Sequence, residues 1–177
     1  MHTALQVAIR RYCRLSVPNE LVQLVSLTVA SLLTKQSIKH RGITLIALPP
    51  YRVDSLIQVV TALELLERTD DRRYRRVQRF VKRIVLCDSR LQAFYSLIGR
   101  ICGLTKTPPP SKYADQLVVY RYAALLVHEA THGLVLAKAH CCTSGLSERA
   151  EKICTAEHKR YARKLPPKGD LERRGLE

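Results

Sequence analysis

Residues 125–134 read Leu-Leu-Val-His-Glu-Ala-Thr-His-Gly-Leu, and they determine the fold and the chemistry expected of the chain. The pattern His-Glu-x-x-His runs from His128 to His132. Side chains four residues apart project from one face of an α-helix, so both imidazoles can bind one metal ion. Glu129 follows the first histidine and can act on a water at that ion without being a ligand. The spacing predicts a Zn²⁺ site with His128 and His132 as ligands and Glu129 as general base.

The motif falls within a long apolar segment whose residue pattern is compatible with an α-helix. Residues from Asp115 to Ala137 are apolar on nearly every side of a helix, which is typical of a helix buried at the centre of a domain. We therefore expect the motif on a buried central helix. Ser147 is a candidate N-cap for a last helix that reaches about Leu165, before two prolines.

The stretch 125–134 resembles the active-site helix of the zincin metallopeptidases. The resemblance implies hydrolysis of peptide bonds, a zinc cofactor and a third protein ligand. The metzincin continuation is absent, because Val135 and Lys138 stand where that pattern has glycine and histidine. The gluzincin pattern takes a glutamate from the following helix, and the spacing from His132 to Glu151 is similar to that of gluzincin aminopeptidases. Glu151 is therefore the expected third ligand.

Two other carboxylates on the same predicted helix compete with Glu151. Glu157 falls within the apolar face of that helix, Glu151 on its border and Glu148 on the far side. Burial favours Glu157 as the third ligand, whereas the family spacing favours Glu151. If Glu151 is the ligand, Glu157 can instead accept a hydrogen bond from the second ring N–H of a ligating histidine. Cys154 is expected to be a packed small residue and not a ligand.

The helices and strands predicted along the chain, together with the motif, indicate an α+β, zincin-like fold with several helices and a small sheet. One metallopeptidase-like domain is expected over residues 1–165, followed by a flexible basic tail over 166–177. Tyr95 and Tyr161 are candidates to donate to the oxyanion. The other expected elements are helices over about 19–34 and 54–66, a basic helix from residue 71, strands over 42–48 and 84–87, and an extended edge segment over 94–104 that binds substrate.

The chain is strongly basic, with 30 Lys+Arg against 15 Asp+Glu and a net charge of +15. Such a charge favours association with polyanions such as nucleic acid or anionic membrane. The spacing of Arg72, Arg76, Arg79 and Arg83 predicts a basic face on one helix. The alternative function is therefore a non-enzymatic basic zinc protein that binds nucleic acid or anionic membrane. Glu129 favours the peptidase, whose substrate is a peptide or protein, because a structural zinc site does not need that carboxylate.

The expected location is the cytoplasm. No apolar run is long enough to span a membrane, and the N-terminal residues do not have the pattern of a secretory signal. The six cysteines are accordingly expected to be reduced thiols.

Overall fold

A computed structural model gives the fold over four stretches of the chain, which are residues 36–88, 92–105, 114–138 and 146–166. These stretches contain five strands and four α-helices, and they belong to one compact unit that begins at Gln36. The α+β class with a small sheet is therefore confirmed. The helix expected over 19–34 and the tail expected beyond residue 166 lie outside the described residues.

The sheet begins with a two-residue hairpin that the sequence did not reveal. Strand β1 (Ser37–His40) pairs antiparallel with β2 (Ile43–Ala47). The turn residues Arg41 and Gly42 both have positive φ, 46° and 86°. Tight hairpins need positive φ at both turn positions to match the twist of the strands, which is why glycine suits the second position.

Three parallel strands form the centre of the sheet, whose order is β1-β2-β3-β5-β4. Strands β3 (Arg83–Leu86) and β5 (Ile101–Leu104) run parallel to β2, and β4 (Ala93–Ser96) pairs antiparallel with β5. All of β5 and all of β3 except its first residue are buried, as is typical of parallel strands built from continuous apolar runs. The expectation of one edge segment over 94–104 is wrong. A turn at Gly99, with φ of 75°, folds that segment into the two strands β4 and β5. Of these two strands, β4 lies at an edge of the sheet and β5 lies inside it.

The four helices are α1 (Ile57–Thr69), α2 (Asp71–Phe80), α3 (Ala114–Lys138) and α4 (Leu146–Ala162). Helix α3 carries the His-Glu-x-x-His motif and packs against α1, α2 and α4 as well as β4 and β5. Its position between these elements brings it into contact with both the other helices and the sheet. None of the described helices has the length and hydropathy of a membrane span.

Helix α3 approaches α2 and β4 closely at Gly133. A Cβ atom at this position would lie 2.7 Å from Cβ of Phe80 and 2.9 Å from Oη of Tyr95. Real Cβ atoms do not come so close to other heavy atoms, so the glycine lets the helix seat against its neighbours. Because Gly133 directly follows His132, this contact also fixes the position of the second histidine.

The expected basic face of one helix is wrong in two respects. Helix α2 ends at Phe80, so Arg83 lies on β3 and not on the helix. Arg76 turns inward, where its Nη1 donates to Oγ1 of Thr131 on α3 at 3.0 Å. Arg72 and Arg79 remain exposed on α2.

Candidate metal centre

Two imidazoles and one carboxylate converge where α3 meets α4. The Nε2 atoms of His128 and His132 lie 3.1 Å apart, as the four-residue spacing on one helix allows. Glu151 reaches across from α4, with Oε1 at 3.1 Å from Nε2 of His132 and Oε2 at 3.4 Å from Nε2 of His128. The structure therefore brings together the three residues that the sequence suggested as ligands.

The separations of these donor atoms suit a zinc ion. A tetrahedral ion with bonds of about 2.0–2.1 Å to nitrogen and oxygen holds its donors about 3.3–3.4 Å apart. Burial lowers the pKa of both His128 and His132, and the neighbouring His132 lowers that of His128 further. Both imidazoles are thereby biased toward the neutral form, which is the form that binds metals. The donor set fits Zn²⁺ in both spacing and protonation.

A thiol that the sequence analysis treated as packing lies beside these donors. Cys154 is fully buried on α4, and its Sγ lies within 4.8 Å of donor atoms of His128 and His132. Burial and the charges of Glu151 and Glu129 raise the pKa of the Cys154 thiol to about 12. The sequence did contain a signal, because Cys154 follows Glu151 by three residues and so shares its helix face.

Glu157 lies in a different environment on the same helix. Its carboxylate accepts hydrogen bonds from Arg76 at 3.1 Å and from Arg160 at 2.8 Å, and it forms an ion pair with Arg73 at 3.1 Å. Burial alone would raise the pKa of Glu157, but the hydrogen bonds from Arg160 and Arg76 and the charge of Arg73 lower it below its ordinary value. Three guanidinium groups thus pair with the carboxylate of Glu157, the alternative to Glu151 as a metal ligand.

Glu148, the remaining carboxylate considered from sequence, is exposed and pairs with Lys152 at 2.8 Å. Among the described residues, neither Glu148 nor Glu157 has a carboxylate oxygen within 4.0 Å of a histidine ring nitrogen, whereas Glu151 approaches two such nitrogens. Glu148 therefore offers a control position on α4 that is chemically matched to Glu151.

A cleft of about 510 Å³ opens beside the converging donors. Its lining includes His128 and Glu129 from α3, His158 from α4 and Ala93 at the start of β4. Glu129 is 4% exposed, and burial together with the charge of Glu151 raises its pKa to about 8. The proposed base and one proposed ligand therefore share a cleft that a substrate can enter.

His158 is a cleft residue that the sequence analysis missed. Its ring lies 6.1 Å from that of His128, and its place one turn after Cys154 was the available signal. The two tyrosines named from sequence are engaged elsewhere. Tyr95 donates from Oη to the carbonyl oxygen of Phe80 at 2.9 Å, and the fully buried Tyr161 shares a 3.0 Å hydrogen bond with Thr69. Neither tyrosine lines the cleft, so His158 replaces them as candidate donor.

Comparison of the chain with protein-family models, with curated proteins and with solved structures found no match. Inference about function therefore rests on the residues of this cleft and on the chemistry that their positions permit.

Proposed function

We propose that the chain is a zinc-dependent, gluzincin-like peptidase. The proposed ligands are His128, His132 and Glu151, and the proposed general base is Glu129. The observation that carries the proposal is the approach of two imidazole nitrogens and both carboxylate oxygens to within 3.1–3.4 Å, beside a buried carboxylate in a cleft. The relationship to the zincins is also proposed, on the basis of the His-Glu-x-x-His motif from His128 to His132.

The residues of the cleft have separate roles in hydrolysis. Zinc held by these donors would supply a Lewis acid that polarises the scissile carbonyl and lowers the pKa of the attacking water. Glu129 takes a proton from that water and returns it to the departing amine. His158 donates a ring N–H to the oxyanion that develops on the carbonyl oxygen.

The substrate that fits this arrangement is an extended segment of peptide or protein. The cleft passes the start of β4, which is the last strand in the order of the described sheet. An extended peptide can add to an edge strand through main-chain hydrogen bonds. A substrate bound in this way would carry its backbone past Glu129 and His128.

The proposal is tested by incubating the zinc-loaded chain with a mixture of peptides and detecting cleavage by mass spectrometry. Glu129→Gln should keep zinc and lose at least about 10²-fold in turnover, because the amide preserves shape and cannot accept the proton. His158→Ala should lower turnover without changing zinc content, and Glu148→Gln should match the wild type. Equal cleavage by Glu129→Gln and the wild type would contradict the mechanism.

A second candidate function, binding of a polyanion, is favoured by a basic concavity at the other end of β4. This concavity has a volume of about 470 Å³, and its lining contains Lys82, Arg83 and Arg100 but no carboxylate. Within the part of the chain that the structure describes, the three cations donate to main-chain carbonyl oxygens alone, at 3.1 Å from Lys82 and 3.4 Å from each arginine. Phosphate groups would satisfy these donors more strongly than neutral carbonyls do. We place the polyanion-binding surface here and not on α2.

A further inference from the structure

Four potential metal donors come from two helices, in pairs that each share one helix face. Helix α3 presents His128 and His132 four residues apart, and α4 presents Glu151 and Cys154 three residues apart. Both spacings place the paired side chains about one turn from each other. Where α3 and α4 pack against each other, Sγ of Cys154 lies within 4.8 Å of donor nitrogens of His128 and His132, and Glu151 contacts the same two nitrogens.

We propose that Cys154 is a fourth protein ligand of this metal centre and that its thiolate closes the centre in the resting protein. This inference rests on the proposed function, since it concerns the same ion. It extends the function by assigning a residue that lowers the activity of the zinc-loaded chain while its thiolate is bound to the metal.

The geometry requires only a small movement of the thiol. A tetrahedral zinc ion with bonds of about 2.0 Å to nitrogen and 2.3 Å to sulfur holds these atoms about 3.5 Å apart. Sγ of Cys154 already lies within 4.8 Å of the donor nitrogens, so a shift on the order of 1 Å brings the sulfur to the distance expected for an ion held by the two histidines. Rotation of one side-chain torsion can supply such a shift.

The charges also balance with four ligands. Two neutral imidazoles, one carboxylate and one thiolate together carry two negative charges, which neutralise Zn²⁺ in a partly buried site. When the metal binds, the S–H proton of Cys154 is released to solvent and the sulfur forms the metal bond.

Four protein ligands have a direct consequence for activity. Zinc sites with four protein ligands are closed and structural, whereas catalytic sites keep one position open for water. The Glu151 side chain is 56% exposed and can swing into solvent, but Cys154 is fully buried and stays at the centre. The thiolate therefore occupies the position that water needs. Removing it should raise the rate of peptide hydrolysis severalfold.

The test uses the full chain loaded with Co²⁺, which replaces zinc and reports its ligands by absorbance. The wild type should show visible ligand-field bands and, in the near ultraviolet, an intense thiolate-to-cobalt charge-transfer band. Cys154→Ala and Cys154→Ser should keep the visible bands and lose the charge-transfer band. The matched control is Cys87→Ala, which removes a buried free thiol outside the donor group and should leave both features intact.

The outcomes separate this inference from the function on which it rests. Visible bands without a charge-transfer band in the wild type would overturn the role of Cys154 and leave the three-ligand peptidase standing. A charge-transfer band that survives in a folded Cys154→Ser variant would do the same. Failure of the wild type to bind Co²⁺ or Zn²⁺ would instead overturn the proposed function itself.

Discussion

Glu151 and Glu157 lie on the same helix, yet different groups surround them. Glu151 meets two imidazoles and is 56% exposed, whereas Glu157 meets Arg73, Arg76 and Arg160 and is only 13% exposed. A carboxylate paired with three guanidinium groups is already neutralised and has little reason to bind a metal ion. We infer that Glu157 joins α2 to α4 and does not act on the metal.

We predict that Glu157→Gln lowers the free energy of unfolding by about 2 kcal/mol, because the ion pairs with the largely buried Arg73 and Arg76 are lost. Urea denaturation monitored by circular dichroism measures this loss. Glu148→Gln removes an exposed pair with Lys152 and should change stability by less than about 1 kcal/mol. Zinc affinity of the folded Glu157→Gln variant should be unchanged. A steep fall in zinc affinity would contradict this interpretation and indicate that Glu157 is a metal ligand.

The same variant should alter the dependence of stability on pH. The pKa of Glu157 is lowered in the folded chain from its ordinary value of 4.5, so its contribution is complete above that pH. That contribution is lost as pH falls below 4.5 through the lowered pKa. The wild type should therefore lose stability more steeply than Glu157→Gln below pH 4.5, and parallel curves would contradict this.

Sequence patterns predicted the long helices and the strands expected over 42–48 and 84–87, which are β2 and β3, but not β1, β4 and β5. Helix α3 was expected over 115–137 and occupies Ala114–Lys138, because its apolar character persists for many turns. Strands β1, β4 and β5 have four residues each, too few to establish an alternation that distinguishes an edge from an interior strand. Strand β5 is buried because it lies between β3 and β4 and packs against α3, and that arrangement is tertiary information.

The candidate site was predictable to the extent that one helix determines it. His128, Glu129 and His132 follow from a spacing within α3, and Glu151 from a resemblance. Identifying Cys154 and His158 required the rotation of α4 about its axis, which depends on packing against α3. The ion pairs that turn Glu157 toward α2 likewise depend on the arrangement of three helices.

The described residues that line the basic concavity include Lys82, Arg83 and Arg100 and no carboxylate. If this concavity binds phosphates, affinity for duplex DNA should fall with salt, with a log–log slope of about −0.9 per phosphate contacted. A triple variant, Lys82→Gln with Arg83→Gln and Arg100→Gln, should flatten that slope. The matched control removes the same charge from α2 through Arg72→Gln, Arg75→Gln and Arg79→Gln.

Equal flattening by both triple variants would show that general charge, and not the concavity, binds the polyanion. Repeating the titration with vesicles of anionic lipid distinguishes a membrane surface from nucleic acid as the source of the phosphates. Binding that does not respond to salt in either titration would contradict the second candidate function.

The central claim is that α3 and α4 hold one zinc ion, and metal content measures it most directly. Chain purified without chelators and equilibrated with Zn²⁺ is analysed by mass spectrometry of its metals, beside His128→Ala, His132→Ala and the control Glu148→Gln. We predict one zinc per chain in the wild type and the control, and loss of zinc in both histidine variants with the circular dichroism of a folded protein retained. Zinc absent from the wild type, or retained at full stoichiometry by both histidine variants, would contradict the claim.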